Sequence, residues 1–199
     1  MHFITSYVDG HVDNLLQVVE EVARAGADVI QFSYPLGFDG HILDTALRVK
    51  EITSKYGNKL CINNRMDIAN AVEADYLHIG QLDLPIDVAR RYLSPCIKIG
   101  LTITKPDQMN DLADYYGVGP IFSTTTKTVA NRPIGVESLK RITAATDKPV
   151  VAIGGITSDN YINMLMFGCE DAAIIGDVYR SGDIYRKVRG FQETKTTKR

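Results

Sequence analysis

"KLCINNRMDIANAVEADYLHIGQLDLPIDVARRYLSPCIKIGLT", residues 59–102, decides the fold. Three short apolar runs, "KLCIN", "DYLHIG" and "CIKIGLT", alternate with two longer amphipathic stretches, "MDIANAVEA" and "PIDVARRYL". The runs read as strands and the stretches as helices, with Pro85 suited to a first helical turn. Strand–helix–strand repetition calls for a parallel sheet covered by helices.

The same alternation continues in both directions. Upstream, "HFITSY" reads as a strand, and "VDNLLQVVEEVARAG" follows it as a helix. Leu15, Val18, Val19, Val22 and Ala23 fall on one face of that helix, and Gly26 is placed to cap it. "DVIQFS" is the second strand, and residues 41–56 form the second helix. Downstream, "KPDQMNDLAD" reads as helical, "YYGVG" as the sixth strand and "VESLKRITAAT" as a helix. "PVVAIGG" is the seventh strand, and "SDNYINMLMFG" is a helix with Ser158 at its N-cap. "DAAIIG" is the eighth strand, and a closing helical segment covers about 182–197. Eight units with no composition break predict one α/β domain over residues 1–199, a (β/α)8 TIM barrel. The rival is an open doubly wound sheet, whose dinucleotide-binding version lacks its G-x-G-x-x-G after the first strand. The basic end "ETKTTKR" reads as a frayed, solvated tail from about residue 190.

Composition narrows the function. The chain has 199 residues, 45% hydrophobic and 23% charged, with a net charge of −2. That leaves no electrostatic footprint for nucleic acid or an acidic membrane surface. No apolar run approaches the ~18 residues of a membrane span, and "MHFITSYVDG" has no basic leader pattern. Cys61, Cys96 and Cys169 are far apart and form no metal-ligand pair, which fits a reduced cytoplasmic setting. Homo-oligomerisation stays open.

In a barrel of this kind the site lies at the carboxyl ends of the strands, and polar residues gather there. Gln31 and Ser33 end the second strand, and Asn63 and Asn64 the third. Gln81 and Asp83 follow the fourth, Thr102 ends the fifth, and Gly154, Gly155, Ile175 and Gly176 follow the last two. Glycine turns beside helix starts offer unobstructed N–H groups, which suit a phosphate. After the sixth strand, "GVGPIFSTTTKT" (117–128) places Ser123, Thr124, Thr125 and Thr126 beside Lys127. Hydroxyl donors around one cation suit an anionic group. His78, within the fourth strand, is more often a hydrogen-bonded core histidine than a catalyst. Lys98 points into the barrel in one register and outward in the next. Asp83 alone is a thin metal site, of a kind that Mg²⁺ tolerates because it keeps waters and takes phosphate oxygens.

"INNRMDIANAVEADYLHIGQLDLP", "KIGLT", "YYGVGPIFSTTTK" and "VAIGGIT" together resemble the thiamine phosphate synthase family. The resemblance implies a (β/α)8 barrel that joins hydroxymethylpyrimidine diphosphate to thiazole phosphate with Mg²⁺, giving thiamine phosphate and pyrophosphate. Its substrates are small phosphorylated molecules. By the resemblance, Lys127 and Asn63 hold the diphosphate, Asp83 holds Mg²⁺, and Gln31 touches the pyrimidine. Thr124 and Thr126 border the thiazole phosphate, Gly155 and Gly176 bind it through backbone amides, and Thr102 replaces a serine.

Three positions depart from the family pattern. Gln-Leu-Arg-x-Lys at the end of the second strand becomes "QFSYP", leaving Ser33 and Pro35 where two cations are usual. Asn-Asp after the third strand becomes Asn63-Asn64. Three lost charge-assisted contacts at ~1.5–3 kcal/mol each amount to about three to six orders of magnitude in rate without compensation. Arg65 and Lys98 are the candidates to compensate. Two alternatives belong to the same superfamily pattern: a thiazole tautomerase-like enzyme, and a non-catalytic barrel binding thiazole or thiamine phosphate. Tautomerase relatives carry a histidine where this chain has Thr104, and they tend to lose the Thr-Thr-Lys loop.

Overall fold

The computed structural model describes residues 1–5, 12–34, 37–124 and 132–198. Eight strands, β1 (His2–Ile4), β2 (Val29–Phe32), β3 (Lys59–Asn63), β4 (Tyr76–Ile79), β5 (Lys98–Ile103), β6 (Tyr115–Val118), β7 (Val150–Ile153) and β8 (Asp171–Ile174), close into a barrel in sequence order. Every neighbouring pair is parallel, including the seam where His2 and Phe3 meet Ala173 and Ile174 of β8. The open-sheet rival is thereby excluded.

The period of two along each strand separates two cores. Ile30, Phe32, Leu60, Ile62, Leu77 and Ile79 point outward and join the helices in one large apolar cluster. Ile4, Tyr115, Val151 and Ala173 point inward and form a smaller cluster, on which Tyr76, Ile153 and Ile175 pack. Among the helices, α1 (Val12–Arg24) buries the five residues on its predicted face. Gly26, at φ 88°, ends it with an N–H bond to the Ala23 carbonyl, the left-handed conformation that favours glycine. The outer layer continues with α2 (Asp39–Tyr56), α3 (Met66–Ala71), α4 (Ile86–Tyr92), α5 (Gly135–Thr143), α6 (Tyr161–Met166), α7 (Gly176–Tyr179) and α8 (Ile184–Lys198).

Three sequence expectations need correction. Residues 105–114 hold a 3-10 turn at Pro106–Gln108 rather than a helix. The Tyr116 hydroxyl binds both the N–H (3.1 Å) and the carbonyl (3.0 Å) of Asn110, groups a continuing helix would use itself. The residue at the N-cap position of the helix after β7 is Asn160, not Ser158, and its side chain faces back into the turn instead of capping the helix. Asn160 Oδ1 accepts from the Thr157 N–H at 2.9 Å, and its Nδ2 donates to the Gly155 carbonyl at 3.1 Å, closing the turn first. The tail expected to fray from about 190 continues as the last turns of α8. There Phe191 is buried against Tyr161, a burial worth about 1.5–3 kcal/mol.

The same helix latches the floor of the barrel. Lys195 Nζ donates to Asp171 at 2.6 Å and to Asp28 at 3.2 Å, and the Met1 ammonium binds Asp28 and lies 3.3 Å from Asp171. These charges hold the Asp28 carboxyl down at about 2 against its own burial. Beside them sits His2, buried, with Nε2 lacking a hydrogen-bond partner among the described residues. Burial lowers its pKa to about 4, although Asp171, Asp28 and a hydrogen bond with Gln31 oppose the shift. The folded protein therefore keeps His2 neutral where the unfolded chain would protonate it. Its contribution is fully present above the unfolded pKa of about 6.5 and is lost progressively down to about pH 4, up to roughly 3 kcal/mol. Urea denaturation at pH 7 and pH 4.5 should show that loss, and His2→Asn should flatten it. An equal pH slope in the variant would refute the assignment.

Candidate functional site

The carboxyl ends of the strands form the mouth, and side chains one register above the small apolar cluster line it. Gln31 of β2 is buried and donates through Nε2 to Asn63 Oδ1 of β3 at 2.6 Å. Next to Asn63, on the adjoining strand, His78 of β4 bridges Thr102 Oγ1 of β5 (Nε2, 2.8 Å) and the Tyr115 hydroxyl of β6 (Nδ1, 2.9 Å). The hydrogen-bonded reading of His78 is the one the structure supports. Two glycines make room for these rings. A Cβ on Gly100 would overlap the Tyr115 ring, and one on Gly117 would lie 2.7 Å from His78 Cε1.

The rim residues follow from turn chemistry. Asn64 sits at φ 63° and donates its N–H to the His78 carbonyl at 2.8 Å. Asn and Asp are the side chains that best tolerate this left-handed conformation, so the backbone restricts this position before any ligand does. Gln81 Nε2 ties the loop after β4 to the Thr102 carbonyl at 2.8 Å. Half-buried Asp83 folds back on that loop, accepting the Gly80 N–H at 2.6 Å. No group of three or more His, Cys, Asp or Glu side chains among the described residues is arranged to hold a metal ion. One carboxylate with a spare oxygen fits a Mg²⁺ that takes most ligands from water and a phosphorylated substrate; it does not fit an ion held by protein alone.

The ends of β6 and β7 interlock through glycine. Ile121 and Phe122 donate backbone N–H bonds to the carbonyls of Ile153 (2.8 Å) and Gly154 (3.0 Å). A Cβ on Gly154 would meet Pro120 at 2.5 Å, and one on Gly155 would meet Phe122 at 2.7 Å. Their φ angles of 98° and 67° add a second reason for glycine. After the adjoining β8, half-buried Ile175 packs on the inner cluster and leads into Gly176, the first residue of α7. The Arg180 guanidinium lies against Gly176, with Nη1 2.5 Å from where a Cβ would be.

The structure thus brings Gln31, Asn63, Asn64, Asp83, Thr102, Gly155, Ile175 and Gly176 to one end of the barrel. Ser33 stands there too, its N–H bound to Thr5 Oγ1 at 2.9 Å, and Thr124 is half-buried at the end of the described stretch after β6. Pro35, Thr126 and Lys127 lie outside the described residues. Neither candidate for charge compensation stands unpaired at the mouth. Lys98 is exposed at the first position of β5, at the opposite end of the barrel. Arg65 forms ion pairs with Asp67 (2.5 Å) and Asp39 (2.9 Å). Sequence reasoning missed Tyr115, whose role depends on a partner in another strand, and the signal was the pair of inward glycines, Gly100 and Gly117.

With this geometry in view, the comparisons with known proteins fall into line. A family model described as thiamine monophosphate synthase matches residues 1–178. A thiamine-phosphate synthase of Moorella thermoacetica is 37% identical over 188 residues, covering 92% of this chain and 90% of its own. One of Synechococcus sp. is 40% identical over 175 residues, 86% of this chain, which spans about half (49%) of that relative's length. Among solved structures, a thiamine phosphate pyrophosphorylase of Pyrococcus furiosus superposes with a TM-score of 0.87 at 28% identity, covering 98% of this chain and 95% of that one. The polar mouth and the match along the barrel lead to one conclusion: the chain belongs to the thiamine monophosphate synthase family.

Proposed function

We propose that the protein is a transferase that joins hydroxymethylpyrimidine diphosphate to thiazole phosphate, releasing pyrophosphate and forming thiamine phosphate. The observation that carries this reading is the family match along the whole barrel, on a mouth whose strand ends are polar. The reaction breaks the carbon–oxygen bond to the diphosphate, and the thiazole nitrogen attacks the pyrimidine methylene carbon left behind. Asn63 and Lys127 hold the departing diphosphate, where charge develops. Gln31 and Thr102 face the pyrimidine. Thr124 and Thr126 border the thiazole phosphate, and the amides of Gly155 and Gly176 receive it together with Ile175. Asp83 would hold a Mg²⁺, which when bound neutralises charge on the diphosphate oxygens.

Asn64→Asp tests the metal assignment. Aspartate tolerates the same left-handed backbone, so the fold should be unchanged while a second carboxylate joins Asp83. The Mg²⁺ concentration giving half-maximal coupling should fall about tenfold, the effect of one charge-assisted contact. An unchanged Mg²⁺ dependence would remove the metal from this rim.

Arg65 is ion-paired and Lys98 stands at the other end of the barrel, which favours one second reading, a barrel that binds thiazole phosphate without coupling it. A tautomerase-like activity is less well supported. Thr104, at the position of the relatives' histidine, is bonded through N and Oγ1 to Gln108 Oε1 at 2.7 and 3.0 Å. A coupling assay with both substrates and Mg²⁺, run beside calorimetry of each ligand, separates these. Product formation supports the synthase. Thiazole phosphate binding without product moves the assignment to the second reading.

A further inference from the structure

We infer that Tyr115 and His78 act as positioning residues that fix the direction of the Thr102 hydroxyl, so that Thr102 presents its hydrogen to the mouth and recognises a substrate atom that only accepts. This deepens the synthase reading and rests on it for the identity of the substrate. The acceptor is a ring nitrogen lone pair or a phosphoryl oxygen.

The direction follows from one chain of contacts across the barrel interior. Cys61 Sγ lies 3.8 Å from the Tyr115 hydroxyl, Tyr115 lies 2.9 Å from His78 Nδ1, and His78 Nε2 lies 2.8 Å from Thr102 Oγ1. Burial raises the Cys61 thiol to about 12 and holds the Tyr115 phenol well above its usual range, so both carry their hydrogens. Two directions are open to this chain. In one, Tyr115 donates to His78 Nδ1, and Nε2–H donates to Thr102. In the other, Thr102 donates to Nε2, Nδ1–H donates to Tyr115, and the phenol is left to donate to the Cys61 sulfur.

The first direction wins on chemistry. A phenol O–H is a stronger donor than an imidazole N–H, and an imidazole lone pair is a far better acceptor than a thiol sulfur. The distances agree, 2.9 Å to nitrogen against 3.8 Å to sulfur. Protonation of His78 gives the same result at Thr102, because Nε2 carries a hydrogen in that form too. The rings cannot swing away to change partners, since each occupies the slot left by an inward glycine, Tyr115 at Gly100 and His78 at Gly117. Half-buried Thr102 then has one hydrogen left, and among the described residues His78 is the one side chain that meets its oxygen.

The test is the nitrogen NMR spectrum of ligand-free protein labelled with ¹⁵N at its four histidines, with His78 assigned by His78→Gln. Wild type should show a lone pair at Nδ1 and a hydrogen at Nε2 of His78. Tyr115→Phe keeps the ring in its slot but removes the donor, and a readily measured Nδ1-protonated share should appear. In coupling assays Tyr115→Phe should lower kcat about tenfold with KM for the diphosphate substrate unchanged. Thr102→Ser should stay near wild type, and Thr102→Val should lose at least as much as Tyr115→Phe. A wild-type His78 carrying its hydrogen at Nδ1, or a tautomer unaffected by Tyr115→Phe, would overturn the inference. A wild type that shows the expected tautomer but no coupling activity would uphold the hydroxyl direction and refute the synthase reading instead.

Discussion

Lys127→Ala should lose coupling activity by about 10²-fold or more, while its affinity for thiazole phosphate changes little. The argument is one of remaining charge. By the resemblance, three cations are usual around the diphosphate; this chain has Ser33 and Pro35 at two of those places. Arg65 is held by Asp67 and Asp39, and Lys98 stands at the other end of the barrel. On the synthase reading the burden then falls chiefly on Lys127, and a cation facing a developing pyrophosphate gains strength as charge accumulates. Lys127→Arg should recover part of the loss only, because a planar fork does not reproduce a compact ammonium among hydroxyls. Ser33→Arg should raise the coupling rate of the Lys127→Ala protein by restoring a cation at the end of β2. The measurements are single-turnover rates and calorimetry on the three variants. Undiminished coupling in Lys127→Ala would remove "STTTK" from the mechanism.

Gly100→Ala should lower stability by about 3 kcal/mol or more, at the upper end of what overpacking costs. The added methyl would occupy the place of the Tyr115 ring, which packs edge-on against Tyr76 with centroids 5.7 Å apart. A different rotamer would break the bond to His78, so the variant should lose activity as well as stability. Gly100→Ala with Tyr115→Ala should regain part of the stability, since the clash is with that side chain alone among the three nearest atoms. Urea midpoints decide the matter, and a Gly100→Ala midpoint close to wild type would refute the packing described for the barrel interior.

The barrel was legible in the sequence because each strand is a short apolar run ending in polar residues, and the runs alternate with amphipathic helices. What sequence reading missed was decided by distant partners. A local pattern assigned 105–114 to a helix, but Tyr116 claims both backbone groups of Asn110. The basic end looked solvated until Val188 and Phe191 were found buried on the same helix that carries Lys195 to Asp171. At the site, positions at strand ends were foreseen because topology alone sends them to the mouth. The pairing of His78 with Thr102 and Tyr115 was not, because it depends on the register that sets His78 opposite Gly100 and Thr102 opposite Gly117. Arg65 shows the converse: its position in the chain suggested a replacement cation, and its neighbours in space remove it.

The latch on the barrel floor bears on how the molecule comes together. Closing the sheet joins His2 to Ala173, the longest sequence separation of any strand pair in the barrel, and the entropy of closing so long a loop must be met before the seam's few backbone bonds form. Lys195 and Gln192 reach from α8 to Asp28 and Asp171, so the closing helix adds charge-assisted contacts on both sides of that seam. Assembly of the other strands can proceed through neighbours, each bringing its own crossover. The joint between first and last strand depends on residues synthesised late, and it should therefore form last and open first. In native-state hydrogen exchange, the amides of β1 and β8 should form one cooperative unit with a lower opening free energy than β3 to β5, and Lys195→Met should lower it further without touching the rest.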